Sequence, residues 1–130
     1  MTNANARGAA MARSAEAMLR ALGGTEVRFR CPVSAAKDAQ ARQLGMDAPV
    51  TEDIAVSPVV VRGVGDEYEL LIAPASVAAY LADRGQSAEQ FFQAVLAVLV
   101  DVREFAVHAF QAEQFAGADY LYRVTLTAKS

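Results

Sequence analysis

Cysteine and histidine each occur once in this 130-residue chain, as Cys31 and His108. A single cysteine excludes an internal disulfide and is compatible with a reducing compartment. A single histidine leaves Cys31 without an obvious activating partner, so Cys31 reads as a small buried hydrophobe. His108, alone among strand residues, reads as structural or solvent-facing. Long apolar runs are missing as well: the longest lies inside Ala94 to Val100, far short of the roughly 18 residues of a membrane-spanning helix. The first ten residues lack the apolar segment of a signal peptide. A soluble protein made in the cytoplasm is therefore expected. Also absent are a glycine-rich phosphate loop, a serine in a nucleophile elbow, a helical zinc motif and a marked general acid and base pair. Asp47, Glu52 and Asp53 lack the ligand spacing and glycine turn of a calcium loop. No catalytic, cofactor-binding or metal-binding residues are assigned, and a non-enzymatic protein is expected.

What the chain does have is a composition rich enough in apolar residues for one core, 54% hydrophobic, at a length that suits a single domain. Its charge is distributed unevenly. Residues 1–46 hold seven basic and three acidic residues, net +4, whereas residues 47–130 hold five basic and twelve acidic, net −7. Two readings stand: solvated faces that happen to differ in sign, or copies packed head to tail with the basic part of one against the acidic part of the next. On the second reading Arg13 and Arg20, seven residues apart and so near one helical face, are candidate contact residues. The basic residues are too few, and too poorly interleaved with aromatics, for a nucleic-acid surface.

Along the chain, residues 1–10 read as a disordered tail. From Met11 to Leu22 the apolar residues Met11, Ala15, Met18, Leu19 and Leu22 share one helical face, ended by Gly23 and Gly24. Val27, Phe29 and Cys31 then alternate with charged residues at the strand period. Residues 32–53 read as a long loop with about one turn of helix near Ala35 to Leu44, between Ser34 and Gly45, and thus as a contact arm. Ile54 to Arg62 and Tyr68 to Ala73 form a hairpin turned at Gly63, Gly65 and Asp66, with Pro58 marking an edge or bulge. Two helical segments follow. The first starts at Pro74 and stops at Gly85; the second starts at a Ser87/Gln90 capping box and carries Phe92, Val95, Leu96 and Leu99 on one face. A final hairpin pairs Glu104 to Gln111 with Asp119 to Leu126. Its connection, Ala112 to Ala118, holds Phe115, either tucked under the loop or offered to another chain. The fold class is α+β: a small antiparallel β-sheet or partly closed barrel, with an N-terminal helix and a helical pair before the C-terminal hairpin.

The segments AMLRALGG (Ala17 to Gly24), VRFRCPV, LGMDAP, EDIAVSPVVVR and FAGADYLYRVTL, in that order, resemble small head-tail joining proteins of tailed phages and prophages, a group that includes connector, head-closure and tail-completion proteins. The resemblance implies a non-enzymatic structural virion protein, a ring subunit or adaptor without cofactors. Its partners would be other copies of itself and neighbouring virion proteins, without specific nucleic acid or membrane, as a homo-oligomer in the assembled state. It would reside in the bacterial cytoplasm before assembly and in the virion afterwards. The alternative is a bacterial small-ligand-binding or adaptor domain with an apolar pocket; a small enzyme with a scattered polar site is a third.

Overall fold

The computed structural model describes residues 3–33, 35–45 and 51–129. It is an α+β protein, with six antiparallel strands and four α-helices among the described residues. The elements are α1 (Asn3–Ala21), β1 (Thr25–Pro32), α2 (Ala35–Gln43), β2 (Thr51–Val64), β3 (Glu67–Ile72), a 3₁₀ turn at Pro74–Ser76, α3 (Ala78–Arg84), α4 (Ala88–Ala94), β4 (Ala97–Val100), β5 (Arg103–Phe115) and β6 (Ala118–Ala128). Hydrogen-bonded neighbours run β1-β2-β3-β6-β5-β4, and β4 returns to β1. That return rests on a four-residue strand with three register pairs on either side. The sheet is thus ring-like over part of its height, and the longer β5–β6 hairpin runs past the closure.

Strand alternation fills the ring. Val27, Phe29 and Cys31 point inward with Ile54, Val56, Leu70, Ile72, Val98, Phe105, Val124 and Leu126. One open end is plugged by α4, because its Phe91 and Phe92 are buried among Phe29, Phe110 and Tyr122. Toward the other, Arg103 lies over the rings of Tyr68 and Phe105, at 5.3 and 5.1 Å from their centroids.

The continuous apolar run in β3 has a separate explanation. Leu70 and Ile72 face the interior, while Leu71 and Ala73 join Leu121 under Leu19 of α1, so this part of the sheet is covered on both faces. Only glycine allows the helix so close: a Cβ on Gly24 would lie 2.7 Å from Cβ of Pro58. Gly23, at φ 80°, and Gly24 close α1 with 3.1 and 3.0 Å bonds to the carbonyls of Arg20 and Leu19.

Several expectations change. Residues 3–10 continue α1 instead of forming a tail, because the segment is alanine-rich and Gly8 can sit against Ala118. Among the described residues of α1, Gly8, Ala15 and Leu19 are buried, whereas Met18, and Leu22 just past its end, are exposed. Residues 35–43 form the nine-residue helix α2, and the expected loop is shortened accordingly. Lys37 of this helix bonds Glu52 of β2 at 2.7 Å. Ser34 as its cap, and the part of the arm at residues 46–50 that includes Asp47, lie outside the described residues. The second helix of the pair stops at Ala94, so Leu96 and Leu99 leave the helical face: Leu96 donates its backbone N–H to Arg30 O at 2.8 Å, and Leu99 pairs within β4. Tertiary strand pairing overrides the helical period there. The last hairpin is longer than its pattern, with Ala116 and Gly117 alone forming the turn.

The capping box appears as expected. Ser87 accepts from the Gln90 N–H at 3.2 Å and the Gln90 side chain accepts from the Ser87 N–H at 3.0 Å. The Gly65 turn joins β2 to β3. Opposite Thr25 and Val27, the register of β2 skips between Val59 and Val56, so Pro58 sits in a bulge. Among the described residues no helix is long and apolar enough to cross a membrane.

Candidate interaction surface

Arg13 and Arg20 both project from the face of α1 opposite its buried residues, where they flank Glu16 and Ala17 in a shallow depression. Arg20 is already engaged, its Nη2 lying 2.7 Å from Glu16 Oε1 one turn earlier. Arg13 has no ion pair among the described residues. Phe115 is 43% exposed, at the last position of β5 beside the hairpin turn. The structure does not bring it to the two arginines. It is the N-terminal half of α1 that reaches the hairpin tip, where a Cβ on Gly8 would stand 3.3 Å from Phe115 O.

The uneven charge is partly consumed inside the chain. Arg30 pairs with Asp53 at 3.1 Å and with Glu104 at 3.3 Å, and Lys37 pairs with Glu52. Thus two basic residues of the first part already meet acidic residues of the second. On the outer face of the sheet the pairs extend into two rows of alternating sign. One runs Asp53, Arg30, Glu104, Lys129; the other runs Arg62, Glu69, Arg123, Glu113 across β2, β3, β6 and β5. Such rows leave these faces close to neutral, so the charges outside them, those of α1 among them, are the ones open to opposite-charge assembly.

Sequence reasoning missed Arg84. Its side chain is 8% exposed; it donates to Pro32 O at 2.8 Å and pairs with Glu52, which also holds Lys37. This ties α3, β1, β2 and α2 together at one end of the sheet. The partners stand 32 and 52 residues away in sequence, so no local pattern announces them. Cys31 lies close enough to feel those charges. Burial pushes its thiol up to about 11, against the partial pull of Arg84 in the other direction. At neutral pH it is a protonated, enclosed thiol. Burial also raises the Tyr122 phenol, helped by the charge of Asp119 and by a 3.5 Å bond to it. His108 is exposed on β5 as the extra residue of a bulge between Val107 and Ala109. Among the described residues there is no group of three or more His, Cys, Asp or Glu side chains able to hold a metal ion.

The most distinctive surface is an open strand edge. Among the described residues β5 pairs with β4 only over Arg103 to Phe105, while its other side pairs with β6 from Phe105 to Phe115. From Ala106 to Phe115 its outer edge has no strand partner among the described residues. No family model matches the chain, and neither a curated protein nor a solved structure does.

Proposed function

We propose that this chain is a non-enzymatic structural protein of a phage or prophage virion, joining head to tail as a ring subunit or adaptor among copies of itself and neighbouring virion proteins. The reading rests first on the resemblance of its segments to head-tail joining proteins. The structural observation that supports it is the β5–β6 hairpin, which runs beyond the ring closure with an open edge and Phe115 exposed at its end. A hairpin of this kind gives a subunit a surface for its neighbour in a heterologous, ring-closing contact. The outward arginines of α1 supply a basic counterpart for acidic turns such as Asp66–Glu67 on another copy. On this reading the protein is cytoplasmic before assembly and part of the virion afterwards.

The interior bears on the ligand-binding alternative. Phe92 alone touches four aromatic rings, with centroids 5.0 to 6.0 Å away, so side chains fill the place where an apolar ligand would sit.

The test is the mass of the purified protein by light scattering across concentration and salt. The expected result is a multi-subunit assembly that shrinks as salt rises, and that Arg13→Glu with Arg20→Glu, or Phe115→Asp, drives toward monomer. A mass that neither salt nor these substitutions change would overturn assembly through these surfaces.

A further inference from the structure

We infer that the cleft between α4 and the outer edge of β5 takes an extended peptide segment of a partner protein, laid as an added strand beside Val107–Phe110, with a basic side chain toward Glu89. The inference shares the open β5 edge with the virion reading but does not require it, since the cleft beside α4 would take such a segment from any partner.

Three observations converge. The first is the open edge: beyond Phe105 the outward backbone groups of β5 have no ladder, and an added strand would complete their hydrogen bonds. The second is the wall beside it. Phe92 and Val95 on the helical side and Val107 and Phe110 on the strand side line a cleft of about 250 Å³. That falls below the roughly 300–1,000 Å³ of ordinary small-molecule sites but suits the alternate side chains of an extended peptide. Half-buried Phe110 forms the floor and is held in place by the fully buried Phe92 stacked behind it at 5.0 Å, so the cleft exists before anything enters it.

The third is charge. Glu89 is exposed at the cleft, where its carboxylate accepts a weak 3.5 Å bond from the Gln93 amide. With His108 the only other titratable residue lining the cleft, a cation on the incoming segment is the matching group.

The bulge at His108 separates this occupant from a second copy of the chain. An extra residue on the edge strand bends it and breaks the regular ladder that two β5 edges would need to pair at length, and the incoming segment bonds the backbone on either side of His108 instead of continuously across it. A short segment held against a helix needs only a few of those bonds.

The experiment uses the full chain, isotope-labelled for NMR, and three synthetic peptides. One is a six-residue peptide alternating valine and threonine with a central lysine, the second has aspartate for lysine, and the third has proline at two alternate positions to remove donors. The lysine peptide is expected to shift and protect the amides of Val107–Phe110 and to bind about fivefold more tightly than the aspartate peptide. The proline peptide should bind least. Glu89→Gln should abolish the preference for lysine over aspartate, and Glu89→Lys should reverse it, each with an otherwise unchanged spectrum. Shifts absent from Val107–Phe110, equal binding of the proline peptide, or a charge preference that survives Glu89→Gln would each overturn the proposal.

Discussion

Arg30 of β1 reaches past β4 to Glu104 of β5, its Nη1 standing 3.3 Å from Glu104 Oε1, while its Nε holds Asp53 of β2 at 3.1 Å. The short strand lies between them: Ala97 pairs with Arg30, and Leu99 pairs with Glu104. The small side chain of Ala97 leaves room for the guanidinium. One arginine thus bridges three strands at the place where the ring closes with the fewest backbone bonds. The carboxylates beside it raise the Arg30 pKa, Asp53 most of all.

Glu104→Lys should loosen this closure, because it sets a third cation beside Arg30 and Lys129. Both partners are more than a third exposed, so the loss of global stability should be small and should shrink further in high salt. The local effect should be plainer. Amide exchange in Ala97–Val100 should accelerate while that of β3 stays unchanged, measured by hydrogen exchange with NMR or mass spectrometry.

Phe92 places a far larger demand on the fold. It is fully buried and meets Phe29, Phe91, Phe110 and Tyr122. Phe92→Ala should cost about 3–5 kcal/mol, and Phe92→Leu clearly less, in urea unfolding followed by circular dichroism. Equal losses from the two would mean that the cavity collapses around either side chain.

The parts legible in the sequence were those whose signals are local. Alternation at Val27, Phe29 and Cys31 marked β1, the Ser87/Gln90 box marked the start of α4, and Gly23, Gly65 and Gly85 marked turns and helix ends. What was not legible depended on distant partners. Leu96 and Leu99 keep helical spacing after Phe92, yet the open backbone of β1 captures both, Leu96 through its N–H to Arg30 O and Leu99 as part of β4. Helix α2 has little to bury, and an ion pair with Glu52, fifteen residues beyond Lys37, ties it down. Met18 and Leu22 fit the apolar face of α1 by spacing, but the residues turned to the sheet are Gly8, Ala15 and Leu19. Of the candidate surface, Arg13 and Arg20 were readable as outward-facing, whereas the sequence left Phe115 open between tucking under its loop and facing another chain, and the fold leaves it exposed. The open edge of β5 was not, since it follows from how briefly β4 pairs with it.

Cys31 gives a pH signature. Its thiol is raised from 9.0 to about 11 by burial, so between those values the unfolded chain releases the proton while the folded chain keeps it. The unfolded state then binds fewer protons, and stability falls as pH rises, by at most about 1.4 kcal/mol per pH unit. Below pH 9 this contribution is constant. Tyr122, also raised, acts in the same direction above pH 10. Cys31→Ala should therefore flatten the alkaline fall in part and leave the Tyr122 contribution. Urea midpoints of both proteins from pH 7 to pH 11 test it, and parallel curves would remove Cys31 as a source.

The hairpin tip offers the opposite kind of change, one that should stabilise. Ala116 holds φ at 52° and Gly117 at 79°, both in the left-handed region that a two-residue hairpin of this twist requires. Glycine bears that conformation without strain, whereas alanine there costs about 1 kcal/mol because its Cβ crowds the following carbonyl. Asparagine tolerates the region better and would create the Asn-Gly pair favoured in such turns. Ala116→Asn should raise the melting temperature by roughly 2–5 °C, and Ala116→Val, β-branched and ill suited to positive φ, should lower it. The two shifts must differ in sign, because both substitutions are exposed and differ chiefly in backbone preference. If both destabilise, the turn is held by contacts of the alanine side chain, and its left-handed backbone is not the source of strain. If Ala116→Asn stabilises as expected, a more rigid tip also keeps Phe115 in the position from which it would meet a neighbouring subunit.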